Sequence, residues 1–574
     1  MWWKNATIYQ IYPASFRDSN GDGIGDIGGI HSQLDYIQSL GVDAIWLCPM
    51  YDSPQHDMGY DISNYEAVYP PYGSVSDIEQ LISACHARGL RILLDLVVNH
   101  TSDEHAWFQE SRSSLSSAKR DWYIWRPARY DAEGKRRAPN NWRSCFGGSA
   151  WTWDETTGEY YLHLFATQQP DLNWENRETR EAIYASAMEF WLRKGIDGFR
   201  VDTANTYSKD TSFPDVPVTD PRTEWQYASH LFCNGPRIHE YLREMAGVLR
   251  KYDAMTVGEL PLTKDIEDVL GYVSAKEEKL DMVFQFDVVD LGTGADRRYS
   301  VEPRSWTLSQ LKERVRATQR LMDGESDGWS TAFLENHDQA RCVSRWGCER
   351  NVELWGQSAK MLAMMVASLS GTLFVYQGQE IGMVNAPASW GVEEYKDVES
   401  RNYYDFVRQT SNGDPVALAA ARTALQHLAR DHARLPMQWD ASPHAGFTAP
   451  DATPWMRAHD NYPDVNVKRQ ALDGQSVLSF WKRMLAVRKE YPDVFAQGVF
   501  ANVDRLEDDD EKLFIFEKRG EGRKLLVVLN FTESEQEAGL EAMLGGKGKL
   551  LLSNTGEGES LRLLRPYEGR VYLV

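Results

Sequence analysis

GIDGFRVDTA, residues 195–204, is too apolar for a half-exposed strand and carries Arg200 and Asp202 toward its carboxyl end. Such a run reads as a strand covered on both faces. Seven others share the pattern: TIYQIYP (7–13), DAIWLCP (43–49), RILLDLVVNH (91–100), AMTVGEL (254–260), MVFQFDVV (282–289), STAFLENHD (330–338) and GTLFVYQGQE (371–380). Amphipathic stretches separate them, among them DIEQLISACHARGL (77–90), TREAIYASAMEFWLRKG (179–195), LSQLKERVRATQRLMDG (308–324) and a run ending at Leu369. Eight strand–helix units joined by right-handed crossovers predict an α/β fold, a closed (β/α)8 TIM barrel. An open doubly wound sheet is the alternative. It usually shows a Gly-rich phosphate loop after its first strand, and none opens a helix here.

Two departures from the repeat set the domain plan. About seventy residues, 101–171, rich in Trp, Tyr, Asn and Gly, intervene between the third and fourth strands, which predicts an inserted subdomain over 104–171. Beyond Tyr491 the pattern changes to short alternating strands, KLFIFEKR (512–519), KLLVVLNF (524–531), KLLLSN (549–554) and RVYLV (570–574). A C-terminal antiparallel β domain, expected as a β-sandwich over 491–574, follows. The barrel keeps 1–103 and 172–490.

Composition narrows the function classes. With 42% hydrophobic and 25% charged residues, the 574-residue chain has the balance of a globular protein with a large core. A net charge of -22 repels polyanions, so nucleic acid is excluded as a partner and a small neutral substrate is favoured. The 20 Trp and 27 Tyr suit stacking on sugar rings, although core packing is the commoner use. Six cysteines without a CxxC pair predict free thiols in a reducing compartment, and MWWKNATIYQIYP lacks the basic and apolar regions of a secretory signal. Cytoplasmic residence is the expectation. Residues 361–379 are uncharged, but Ser368, Ser370, Gly371, Gln377 and Gly378 interrupt them, so helix, turn and strand are expected there and no membrane partner. Monomer and homo-oligomer are left equally open.

The polar residues of the strand runs gather at their carboxyl ends: Asp95, Asn99 and His100; Arg200 and Asp202; Glu259; His337 and Asp338. In a TIM barrel those ends form one mouth, so the groups should converge. Three carboxylates on one pocket can act as nucleophile, acid/base and orienting group, the set that retaining glycoside hydrolysis uses, with the reacting pair about 5 Å apart. Each alone is equally a buried carboxylate held by a neighbouring Arg or amide. Their joint placement outweighs that explanation, because buried charge is costly unless used or paired.

DLVVNH (95–100), GFRVDTANT (198–206), VGEL (257–260) and FLENHD (333–338) resemble, in order, the four core motifs of the α-amylase clan of retaining glycosidases. QPDLNW (169–174) and RLPMQW (434–439) are similar to markers of its maltase and oligo-1,6-glucosidase branch, closest in pattern to fungal and yeast cytosolic maltases. The resemblance spans essentially the whole chain. It implies Asp202 as nucleophile, Glu259 as general acid/base and Asp338 as the carboxylate gripping the 2- and 3-hydroxyls. Arg200 would hold Asp202 ionised, and the two aspartates would raise Glu259 so that it starts protonated. His100 and His337 match hydrogen-bond donors to the ring hydroxyls.

The same resemblance makes HDMGYDISNY (56–65) the floor of a glucose pocket, with Tyr60 as stacking platform and Asp57 paired to Arg434 to close it. A closed end implies exo action. Phe165 and Gln169 match further lining positions, and Leu435 stands where Thr is more usual. Thr203 is the maltase-type residue, implying hydrolysis of α-1,4 bonds in maltose and short oligosaccharides, with sucrose as a further candidate substrate. An oligo-1,6-glucosidase and a glucosyl-transferring or sucrose-isomerising relative are the alternatives. A non-catalytic amylase-like scaffold would lack part of the catalytic set, and this chain does not.

DSNGDGIGD (18–26) places Asp18, Asn20, Asp22 and Asp26 at alternating positions, with the Ile24 carbonyl available, as an EF-hand loop does. A structural Ca²⁺, or Mg²⁺ in its place, is the expectation, and the resemblance implies the same. No organic cofactor is expected. A solvated Asx-rich turn explains the same residues.

Overall fold

The computed structural model describes residues 1–294, 299, 306–502, 510–556 and 560–574. Each of the eight apolar runs contributes a strand: β1 (Thr7–Ile11), β2 (Ala44–Leu47), β3 (Arg91–Leu96), β4 (Gly198–Val201), β5 (Met255–Leu260), β6 (Met282–Gln285), β7 (Thr331–Ala332) and β8 (Thr372–Tyr376). They are parallel neighbours in the order β6-β5-β4-β3-β2-β1-β8-β7. A parallel bridge between Val283 and Ser330 joins the two ends and closes the barrel. Apart from Arg91 at the start of β3, the strand residues are buried, which is why the runs read as continuous rather than alternating. At Gly198 only glycine fits, since a Cβ there would lie 2.1 Å from the Met255 carbonyl oxygen of β5.

The expected helices form with local variations. Val75–Ala87 starts with a capping box of Ser74 and Asp77, and Leu308–Gln319 with one of Thr307 and Gln310. The run over 179–195 is interrupted: Arg177–Ile183 and Phe190–Leu192 flank a π-helical turn, Tyr184–Glu189. The uncharged stretch divides into the end of helix Val352–Ala367 and strand β8. No helix among the described residues is long and apolar enough to cross a membrane.

The segment after β3 contains a three-stranded antiparallel sheet, Trp125–Arg126, Glu159–Leu162 and Trp151–Asp154. Its core residues Trp142, Trp151 and Leu162 pack with Phe213, Ala228 and Phe232 from the connection after β4. Two strand-end connections therefore build one wall above the barrel mouth. The C-terminal region forms a five-stranded antiparallel sheet from Val499–Asn502, Leu513–Arg519, Lys524–Asn530, Gly569–Leu573 and Lys549–Ser553. Period-two alternation here selects between two covers, not between core and water. Phe514, Phe516, Leu525 and Val527 join the barrel core, while Leu513, Ile515, Leu526 and Val528 pack under Leu540, Leu544 and Leu564.

Candidate active site

The carboxyl ends of β3, β4 and β5 meet on one guanidinium. Arg200 Nη1 lies 2.5 Å from Asp202 Oδ1 and 2.7 Å from Asp95 Oδ1, and its Nη2 lies 2.8 Å from Glu259 Oε2. The arrangement follows from the pleat: Arg200 and Asp202 sit two residues apart and face the same way, and β4 pairs Arg200 with Asp95 on one side and Val257 on the other. Trp46 Nε1, at 2.9 Å, and the Tyr60 hydroxyl, at 3.3 Å, complete the shell of Asp95.

Burial pushes the Asp202 and Glu259 carboxyls above their ordinary range, and Arg200 opposes it in both. The charges of Asp202 and Asp338 add to the rise at Glu259. The sequence argument gave those two aspartates the leading part. Desolvation leads instead, because the whole cluster lies under the wall formed by the two inserted connections.

Thr203 ties the pair together. Its φ of 38° is left-handed, a strained conformation for a β-branched residue. So placed, its N–H donates to Glu259 Oε2 at 3.2 Å and its hydroxyl to Asp202 Oδ2 at 3.3 Å. The Ala204 N–H donates to the Glu259 carbonyl at 2.9 Å and fixes the same turn.

The back of the pocket differs from expectation. Asp57 was expected to pair with Arg434; the structure pairs it with Arg430, Nη2 to Oδ1, at 3.3 Å. Arg434 is already committed, with Nε to the His337 carbonyl at 3.1 Å, Nη1 to Asp397 at 2.6 Å and Nη2 to Asp338 Oδ1 at 2.9 Å. Arg430 also reaches Asp338, at 3.1 Å. Leu435 is buried beside Arg434.

Tyr60 stacks on His337, ring centroids 5.2 Å apart and planes 5° from parallel. Gln10 Nε2 lies 2.9 Å from His337 Nδ1, and His337 Nε2 lies 3.3 Å from Asp338. His100 Nε2 sits 3.1 Å from the Tyr60 carbonyl and 3.0 Å from Gln169 Nε2, which also donates to Asp57 at 3.0 Å. Burial lowers His100 to about 4 and His337 to about 3, so both are neutral at physiological pH. Burial raises Asp57 to about 7, with Arg430 opposing. Phe165 packs on His100 with centroids 5.1 Å apart.

These groups enclose a cavity of about 190 Å³ lined by Asp57, Tyr60, His100, Asp202, Glu259 and Asp338. It is smaller than the roughly 300–1,000 Å³ of drug-sized sites, which suits a small ligand. The cavity shares Cys145, Phe146, Tyr227, Pro261, Leu262 and Phe286 with an outer chamber of about 940 Å³. The reacting carboxylates line the smaller cavity, so the larger one is its antechamber.

All twelve expected catalytic and substrate-binding residues lie in or directly behind this cavity: Asp202, Glu259, Asp338, Asp57, Tyr60, His100, Phe165, Gln169, Arg200, Thr203, His337 and Arg434. Sequence reading passed over Arg430, Asp397 and the outer chamber. Arg430 could have been noticed four residues ahead of Arg434 in RDHARLPMQW. Asp397 carries no local signal.

The 18–26 loop lies elsewhere. Asp18 accepts the N–H groups of Asn20, Gly21 and Gly23 and the Thr448 hydroxyl, and these outweigh burial to hold its carboxyl below the usual range. Asp26 accepts from Ser19 and caps Ile27–Ser32 through Gly29. Asn20 accepts the Asp22 N–H, and Asp22 that of Ile24. The donors are the hard oxygens that Ca²⁺ takes. Their side chains are turned onto amides, and among the described residues no three His, Cys, Asp or Glu groups converge to hold a metal. All six cysteines are free.

Residues 10–498 match the alpha amylase catalytic-domain family model. The chain is 51% identical to an alpha-glucosidase of Candida albicans, over 100% of this chain and 99% of that one. It is 45% identical to the oligo-1,6-glucosidase IMA5 of Saccharomyces cerevisiae, over 100% and 98%. Among solved structures, trehalose-6-phosphate hydrolase (TreA) of Bacillus licheniformis superposes with a TM-score of 0.88 at 40% identity, covering 100% of this chain and 99% of that one. A mutant form of the trehalulose synthase MutB gives 0.90 at 36%, with 100% of both chains covered. Sequence and architecture agree over their full length: the chain belongs to the alpha-amylase family.

Proposed function

We propose that this protein is an exo-acting retaining α-glucosidase that releases terminal glucose from maltose and short α-linked oligosaccharides, and also acts on sucrose. The observation that carries the reading is the single guanidinium of Arg200 bridging Asp202 and Glu259 at the floor of a small cavity. Asp202, kept ionised by Arg200, attacks C1 and forms a glycosyl ester while Glu259 gives its proton to the departing oxygen. Glu259, with its proton gone, then accepts one from water as that water attacks C1 and releases Asp202. Asp338, Asp57 and the neutral imidazoles of His100 and His337 bind the glucosyl hydroxyls. The Asp57–Arg430 pair closes the far end, which supports exo action.

Thr203 favours α-1,4 over α-1,6 bonds. The large antechamber also admits an acceptor sugar, which favours glucosyl transfer or isomerisation as the second reading. Kinetics and product analysis with maltose, isomaltose and sucrose test both. Glucose release fastest from maltose supports the main reading; mainly isomeric or transfer products at low substrate concentration would replace it. Loss of maltose turnover in Asp202→Asn is the accompanying expectation.

The free thiols support a reducing compartment, for which the cytoplasm is our proposal; fractionation of expressing cells tests it. For the 18–26 loop, the hard-oxygen set of Asp18, Asn20, Asp22, Asp26 and the Ile24 carbonyl supports a structural Ca²⁺, which these groups would hold once their side chains turned from the loop amides; it would rigidify the loop and take no part in the chemistry.

A further inference from the structure

Two guanidiniums meet on one carboxylate oxygen behind the small cavity. Arg430 Nη1 and Arg434 Nη2 approach Asp338 Oδ1 at 3.1 and 2.9 Å, and both arginines are buried. Like charges this close in a dry wall repel each other strongly. Arg430 lines the cavity and has somewhere else to go: its Nε lies 3.5 Å from Glu399, a residue of the outer chamber.

Asp397 stands between the two arginines. Its Oδ2 lies 2.8 Å from Arg430 Nη2 and 2.6 Å from Arg434 Nη1, and its Oδ1 lies 3.1 Å from Arg430 Nε. Asp338 and Asp397 thus alternate with the two guanidiniums around a closed ring of charge. Asp397 is itself fixed from two sides. Its Oδ1 caps helix Val398–Thr410 by accepting the Glu399 N–H at 2.9 Å, and its own N–H donates to Asp431 at 2.9 Å. Burial alone would raise its carboxyl; the two arginines hold it below the ordinary range.

We propose that Asp397 is a positioning residue for glucosyl recognition, holding Arg430 and Arg434 so that they in turn hold Asp57 and Asp338 toward the sugar. Asp397 lines neither chamber, so it acts only through the arginines. Without its charge the pair keeps only Asp338 as a shared counter-ion, Arg430 moves toward Glu399, and Asp57 loses its guanidinium partner and keeps only the Gln169 amide. The inference rests on the α-glucosidase reading of the cavity.

The test compares wild type, Asp397→Asn and Asp397→Glu for equilibrium glucose binding, for kcat and KM on maltose, and for thermal unfolding. Asp397→Asn keeps the shape and removes the charge. It is expected to weaken glucose binding at least ten-fold and to raise KM in step, with kcat falling less than KM rises. Asp397→Glu restores the charge one methylene away and recovers part of the loss. Wild-type glucose affinity in folded Asp397→Asn overturns the inference, as does a loss that only tracks the amount of folded protein. If Asp397→Asn does not fold, Asp397→Glu decides: affinity equal to wild type overturns the inference. Failure of the wild type itself to bind glucose would instead sink the underlying reading.

Discussion

Replacing Arg200 with lysine separates its charge from its geometry. The guanidinium serves three carboxylates through two nitrogens, at 2.5, 2.7 and 2.8 Å. A single Nζ on a shorter stem cannot occupy both positions. We expect Asp202 to lose one charge-assisted hydrogen bond, worth about 1.5–3 kcal/mol. That corresponds to about 1–2 pKa units, upward, because the lost partner favoured the ionised form. The rate follows the ionised fraction of Asp202, so the acid limb of kcat/KM should move up in pH by the same amount. Activity at about pH 5 should fall roughly 10- to 100-fold while activity near pH 8 falls much less. The assay is a pH series of kcat/KM on maltose, beside thermal unfolding at each pH. An unmoved acid limb, or an equal loss at every pH, would refute the claim that this guanidinium keeps the nucleophile ionised.

Glu259→Gln should abolish most turnover yet stabilise the fold by about 1–3 kcal/mol near pH 8 and leave it unchanged near pH 4. The sign follows from the raised carboxyl: the folded state holds a proton that the unfolded chain releases, so stability falls as pH rises through that window; unfolding midpoints at the two pH values check it. Thr203→Val removes the hydroxyl on Asp202 and should shift the maltose-to-isomaltose ratio of kcat/KM toward isomaltose by about ten-fold, read by competition kinetics. Asp57→Asn should raise KM for maltose about 10-fold with a smaller effect on kcat; an unchanged KM would remove Asp57 from the sugar-binding set. Elemental analysis after dialysis should find about one Ca²⁺ per chain, with chelation lowering the unfolding midpoint but not kcat; a metal-free protein of unchanged stability rejects the loop proposal.

The barrel was legible because burial on both faces writes long apolar runs into a sequence, and the site because barrel geometry brings the ends of those runs together. Arg200, Asp202 and Glu259 sit at or next to strand ends and could be placed on that ground alone, whereas Asp338 lies in the turn beyond the short β7, Thr331–Ala332, and was placed by its run. The charge network behind the cavity was not legible in the same way. Asp57, Arg430, Arg434 and Asp397 come from connections whose mutual approach depends on how the wall above the barrel packs. Resemblance to a family brought Asp57 and Arg434 together, but which guanidinium meets which carboxylate is decided by competition among donors. Arg434, nearly inaccessible and already bound to Asp397, Asp338 and the His337 carbonyl, leaves Asp57 to Arg430. The connection after β4 was missed as part of the wall because Phe213 and Phe232 have no periodic context; they are buried by Trp142 and Trp151 from the other insertion.

The two guanidinium hubs also divide the electrostatic work. Arg200 lies among Asp95, Asp202 and Glu259, so three carboxylates share one cation, and burial, with the charges of Asp202 and Asp338 behind it, keeps Glu259 disposed to hold a proton. At the back wall, Arg430 and Arg434 face Asp57, Asp338, Asp397 and, at 3.5 Å, Glu399, so two cations serve four carboxylates and each cation is shared. A reacting pair needs groups whose pKa values can move as charge is transferred, and a binding wall needs groups that stay put. The first hub gathers its carboxylates on one cation beside a strained Thr203, whereas the second is cross-linked into a ring of two aspartates and two arginines. Substitutions at the first should move pH profiles, and substitutions at the second should move KM.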